Sequence, residues 1–176
     1  MRVAAIVLAA GEASRFGSPK QRLLLPRVLE RLRDTAVDEI VVVQGAHELE
    51  APSDTVSQGV PVRIAVAGEW IRGPGASLRS GLAVLGDEVE AAVVVLADGP
   101  NLAPSAVERV LAEWQEHGGI VAASYGGGRG HPLVLGRADW DDIPLEGLRD
   151  KAVRLVPCDD LGAPGDVDVP EDLDEV

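Results

Sequence analysis

Three places in this chain carry residues suited to handling phosphate. The first is Leu8-Ala9-Ala10-Gly11, a run of small residues followed by Arg15 and Lys20. Small side chains let a ligand approach the main chain, loop amides face phosphate oxygens, and two cations neutralise charge. The second is Asp98, delivered directly after the apolar run Ala91–Ala97. A hard oxygen ligand there suits magnesium, which holds phosphates through one or two carboxylates and keeps several waters. Asp before Gly99-Pro100 also suits a plain turn or helix cap. The third is the pair Asp166 and Asp168, whose carboxylates share one face if the segment is extended. Here the competing reading is strong. Asp168-Val169-Pro170-Glu171-Asp172 also makes a helix start with an acidic first turn. Glu171 and Asp172 are read as that cap, Asp168 is favoured as a metal ligand, and Asp166 stands open between the two.

The N-terminal loop is neither of the two commonest phosphate loops. No Gly-Lys-Ser/Thr follows, because Pro19-Lys20 stands in that place. Gly11 and Gly17 are too far apart for the dinucleotide pattern. Ser77 follows Gly73-Pro74-Gly75, where it could cap a helix or reach a ligand. With three histidines scattered along the chain, no histidine metal cluster is available. No Ser-His or Cys-His pairing offers a side-chain nucleophile.

These residues need elements to hold them. Val3–Leu8, Glu39–Gln44, Val62–Ala67, Ala91–Ala97 and Ile120–Ala123 read as buried strands. Leu23–Leu32 has helical spacing, as does Gly75–Leu85 with Leu78, Leu82 and Leu85 on one face. Pro104 opens a helix that turns Val107, Val110, Leu111 and Trp114 inward and ends at Gly118-Gly119. Apolar strands alternating with amphipathic helices predict an α/β fold: a three-layer α/β/α sandwich around a mostly parallel, Rossmann-like sheet. Ligands of such sheets bind beyond the carboxyl ends of the strands, so Ala9–Lys20 and Asp98–Pro100 should meet at one edge. Gly126–Gly130 is expected to be a turn or flexible loop, and 147–165 has only weak periodicity. Trp70 and Trp140 could border a pocket, with core or surface packing the favoured reading.

Composition sets outer bounds. The 176 residues suit one domain over 1–176, with an apolar fraction of 46% for its core. A net charge of −13 opposes binding to nucleic acid or an anionic membrane. No run is long enough to span a bilayer, and Met1-Arg2-Val3 lacks the layout of a signal peptide. The lone Cys158 forbids an internal disulfide and is expected to be a small buried residue; a cytoplasmic address is the simplest.

The pattern from Leu8 to Lys20, L-A-A-G-x-x-x-R-x-G-x-P-K, resembles the signature loop of the MobA- and MocA-like nucleotidyltransferases. These include the molybdenum-cofactor cytidylyl- and guanylyltransferases. Gly73–Leu82, Leu96–Pro100, Gly130–Leu133 and the closing Asp166–Leu173 are similar to that family in the same order. The resemblance implies a magnesium-dependent transfer of a nucleoside monophosphate from a nucleoside triphosphate to a small phosphorylated acceptor, releasing pyrophosphate. It implies nucleotide binding by Leu8, Ala9, Ala10, Gly11, Arg15, Lys20, Gly75, Ser77 and Asp98. Catalytic roles fall to Lys20, Arg15 and Asp98, with magnesium on Asp98, Asp168 and Asp166. Arg129 and His131 are read as shaping the acceptor pocket. Members with Ala-Ala-Gly tend to use CTP, so CMP transfer is favoured, with molybdopterin as acceptor and a molybdoenzyme or its chaperone as partner. One alternative is a guanylyltransferase acting on a small phosphorylated acid in deazaflavin synthesis. Another is a nucleotide-binding relative that has lost activity. The chain departs from the family at Gly99, where relatives carry glutamine. It also lacks their glycine hairpin after Lys20 and is compressed over Asp139–Asp159.

Overall fold

A computed structural model describes residues 1–11, 20–49 and 59–165, and only the backbone of Lys20 and Gln21. Strand β1, Arg2–Ala9, is an unbroken apolar run for a physical reason. Val3 through Val7 are each at most 1% exposed, so both faces of the strand are covered. Parallel to it lie β2 (Glu39–Gln44) on one side and β4 (Val89–Leu96) on the other. Strand β3 (Val62–Val66) extends the sheet beyond β2. Beyond β4 come β6 (Gly128–Gly136), β5 (Ile120–Tyr125) and the short edge strand β7 (Arg154–Pro157). The order is β3-β2-β1-β4-β6-β5-β7, and among the described residues β6 alone runs against the rest.

Alternating side chains on the strands feed two cores. Val3, Ala5 and Val7 of β1 join Val28, Leu29 and Leu32 of α1 (Lys20–Arg33) and Val107, Val110 and Leu111 of α3 (Pro104–His117). Ala4 and Ile6 face the other way, toward Leu78 and Leu82 of α2 (Pro74–Leu82) and toward Ile143 and Leu148. The result is the expected three-layer sandwich. Helix α3 starts at Pro104 and is closed by Gly118, whose φ of 67° lets its N–H return to the Trp114 carbonyl at 2.7 Å. Helix α2 is shorter than its periodicity predicts, ending at Leu82, although Leu85 still packs in the core.

The glycine-rich stretch 126–130 departs from expectation. Only Gly126 and Gly127 form a turn, with φ of 58° and 78°, and Tyr125 pairs with Gly128 across it. Positive φ at both central residues is what a two-residue hairpin needs to match strand twist. Gly128, Arg129 and Gly130 are already strand, and their composition masks it. The weakly periodic stretch likewise contains β7, which sits at the sheet edge with most of its residues exposed, so no alternation marks it.

The chain leaves β1 toward β2 and β3, then crosses to β4 and builds the other side, where β6 returns between β4 and β5. The switch point lies between β1 and β4. A crevice opens at that place, beyond the carboxyl ends of the strands.

Candidate active site

Strands β1 and β4 end in register, Leu8 opposite Leu96, and the Ala97 N–H donates to the Leu8 carbonyl at 3.1 Å. Past that bond the chains diverge into Ala10-Gly11 and Ala97-Asp98. Between them lies a cavity of about 370 Å³. Its third side is a 3₁₀ turn, Trp70–Arg72, and the start of α2. Asp98 is the one charged group among the described residues lining it. Leu8, Ala10 and Gly11 line the cavity as well, whereas Ala9 turns into the core under α1 and α3.

Ser77 lines this cavity and is buried, at 4% exposure. It does not cap the helix. Gly73 holds the cap position, with no side-chain capping bond, and Pro74 opens the first turn. Gly75 is absent from the lining, and its missing side chain serves a neighbouring loop. A Cβ there would stand 1.8 Å from the Pro144 carbonyl oxygen, and the Gly75 N–H donates to the Leu145 carbonyl at 2.9 Å. At Gly73 the φ of 133° and a would-be Cβ contact of 2.4 Å with the Leu145 oxygen impose the same requirement. The sequence 73–75 thus fits α2 against the loop after Ile143.

Arg129 and His131 stand at the start of β6, which its reversed direction brings to the same sheet edge. Both border two further cavities, of about 510 Å³ and 460 Å³. The larger shares Leu8, Pro74 and Leu96 with the first cavity and is walled by Leu78, Leu133 and Leu148. The Arg129 guanidinium donates to the Leu148 carbonyl at 2.6 Å, and partial burial lowers its pKa. Burial, with the Arg129 charge adding to it, pushes the His131 imidazole down to about 4, against an opposing pull from Asp98. His131 is therefore neutral at pH 7. Its carbonyl accepts a bond from the Tyr125 hydroxyl at 3.1 Å.

Arg15, Asp166, Asp168 and the side chain of Lys20 lie outside the described residues; Lys20 is seen only as the first residue of α1. Among the described residues no three His, Cys, Asp or Glu side chains gather around one point. Asp98 by itself supplies one carboxylate to the lining of this cleft. That donor set fits magnesium, which needs few protein oxygens when phosphates and water complete its shell.

Some lining residues carried no signal in the sequence. The loop Glu146–Arg149 walls the larger cavity from a segment with no periodicity. Trp70 both packs and borders the first cavity, with its ring where a Gly45 side chain would be. Trp140 packs as expected, under the Arg137 guanidinium at 4.8 Å. Cys158 is fully buried. Gly99 lines the smaller cavity, and a Cβ there would approach Pro164 to 3.0 Å. A larger residue at 99 would displace that wall.

Residues 5–157 match the MobA-like NTP transferase domain. The chain is 32% identical over 156 residues to a molybdenum cofactor guanylyltransferase of Mesorhizobium japonicum, covering 84% of this chain and 71% of that one. Among solved structures it is similar to Rv0371c of Mycobacterium tuberculosis H37Rv, at 26% identity and a TM-score of 0.76, with 99% of this chain and 97% of that one covered. The same protein in complex with manganese aligns at 24% identity, TM-score 0.71, over 99% of this chain and 97% of that one. An apolar sheet edge that gathers Ala10, Gly11, Ser77 and Asp98 around one cleft, in a chain matched over this span, has one reading: the protein belongs to the MobA-like NTP transferase family and is a nucleotidyltransferase.

Proposed function

We propose that the protein, acting as a single domain over 1–176, transfers CMP from CTP to a phosphorylated acceptor and releases pyrophosphate. The observation that carries this reading is the convergence of Ala10-Gly11 and Asp98 on one cavity that shares a wall with a second, larger one. Donor and acceptor can lie side by side across Leu8, Pro74 and Leu96. An acceptor phosphate oxygen attacks the α-phosphorus, the bond to the bridging oxygen on the β side breaks, and that oxygen leaves with the pyrophosphate. Ala10 and Gly11 let the nucleotide approach the main chain, Ser77 contacts it from α2, and Arg15 and Lys20 neutralise the leaving group. Asp98, with Asp168 or Asp166, would hold magnesium, which would supply Lewis-acid charge stabilisation on the phosphates. The manganese complex of the mycobacterial relative supports a divalent ion in this role.

Two observations bear on the substrates. Ala9-Ala10-Gly11 favours CTP, whereas the Mesorhizobium japonicum relative is a guanylyltransferase, which favours GTP. The larger cavity, walled by Leu78, Leu133 and Leu148 beside Arg129, suits an acceptor with an apolar body and an anionic group. This supports a molybdopterin-like acceptor over a small phosphorylated acid. The test is pyrophosphate release with each of the four nucleoside triphosphates and magnesium, with and without molybdopterin and phosphorylated acids. Turnover with CTP and molybdopterin is expected. Turnover with GTP alone moves the donor assignment to the relative's, and no turnover with any pair refutes the reading.

A further inference from the structure

The exposed Ile71 sits where an ordinary surface would not place it. It is 81% exposed, yet it lines the cavity that holds Ala10, Gly11 and Asp98. It is also held firmly. The 3₁₀ turn that carries it is closed by the Trp70 N–H on the Ala67 carbonyl at 3.2 Å, Arg72 on Glu69 at 2.9 Å, and Gly73 on Trp70 at 3.2 Å. The Ala67 N–H in turn donates to the Gln44 carbonyl at the end of β2, at 2.8 Å. Trp70 anchors the turn, because its ring lies 2.6 Å from the place of a Gly45 Cβ, so only glycine at 45 admits it. Among the described residues lining the cavity, Asp98 after β4 carries the one charge, and Trp70 and Ile71 on the turn before α2 add apolar surface. A nucleoside triphosphate offers a partner to each, a charged chain and a planar ring with apolar faces.

We propose that Ile71 covers the nucleobase of the donor, and that Trp70, seated in the notch at Gly45, is the positioning residue that holds it there. The inference rests on the nucleoside triphosphate reading of this cavity. An isoleucine presented on a fixed turn loses water-exposed area when a base slides beneath it, and that burial adds affinity without regard to hydrogen-bonding pattern. Its contribution is therefore to base binding as such, shared by cytosine and guanine.

The test is equilibrium titration of the full chain with CTP, GTP and inorganic tripolyphosphate, each with magnesium. Ile71→Ala is expected to weaken the better-bound nucleotide by roughly tenfold and to leave tripolyphosphate, which has no base, unchanged. Ile71→Leu restores the affinity. Val66→Ala, an apolar residue 66% exposed and outside the cavity, changes nothing. Thermal melting controls the fold, and an unchanged midpoint is expected for Ile71→Ala. If the wild type binds CTP or GTP and Ile71→Ala binds as tightly, the inference fails and the donor reading stands. If Ile71→Ala weakens tripolyphosphate as much as the nucleotide, the residue is not a base cover. If the wild type binds neither nucleotide, the donor reading fails with it.

Discussion

The donor and acceptor halves proposed for the site are built by different means. On the donor side the geometry comes from strand register: β1 and β4 pair from Val3 to Leu8, and the cavity opens where that pairing stops. On the acceptor side it comes from individual donors gripping carbonyls of one irregular segment. Arg79 holds the Ile143 carbonyl at 2.6 Å, the Gly75 N–H holds Leu145 at 2.9 Å, and Arg129 holds Leu148 at 2.6 Å. Lys151 pairs with Asp142 at 2.5 Å further along. Register is a collective property, so no single side chain sets the edge of the cavity where β1 and β4 end. A clamp is local, and each of its members can be removed.

The contrast can be broken most severely at the chemistry itself. Asp98→Ala is expected to lower turnover by at least about 10²-fold, the scale on which a group stabilising transferring phosphate acts. Pyrophosphate release measures it, and retention of full activity would remove Asp98 from its assigned role. Next comes Gly75→Ala, which drives a methyl into the Pro144 oxygen where no flexible side chain can yield. Overpacking against backbone should cost about 3 kcal/mol, read as a lowered melting temperature; an unchanged melting temperature would show that the 144–147 loop gives way freely. Arg79→Ala removes one exposed clamp. It should cost about 1 kcal/mol of stability and raise the acceptor KM several-fold while donor affinity stays within twofold. An equal loss on both substrates would show that the halves are not separable.

A further test concerns protonation. His131 has a folded pKa near 4, below the ordinary histidine value of 6.5. As pH falls the unfolded chain takes up this proton first, so stability declines from about pH 6.5 downward and levels off below about 4. His131→Gln should flatten that part of the curve of melting temperature against pH. A slope that persists unchanged would assign it to other groups.

The same contrast explains what could be read in advance. β1, β2 and β4 announce themselves because burial on both faces demands unbroken runs such as Ile40-Val41-Val42-Val43. The switch point then follows, and with it the meeting of Ala10-Gly11 with Asp98. The acceptor side left little trace. A clamp made of an arginine and a backbone carbonyl has no periodicity, and a carbonyl belongs to every residue alike. β6 was hidden for a further reason: Gly126 to Gly130 spells a loop, while two positive φ angles suffice to turn the chain, and of the two remaining glycines Gly130 sits against the Tyr125 ring. Glycine's meaning at 73 and 75 was equally silent, since nothing nearby in sequence names the carbonyls at 144 and 145. Arg15, Asp166, Asp168 and the Lys20 side chain, all expected at the site, fall outside the described residues.

The reversed strand β6 has one more consequence. Its partner β5 and the turn Gly126-Gly127 make a hairpin whose tip projects at the sheet edge beside Arg129 and His131. Residues added or lost at such a tip lengthen the finger without shifting any pairing between β1 and β4. The finger can therefore vary in length across a lineage while the β1–β4 edge is inherited intact.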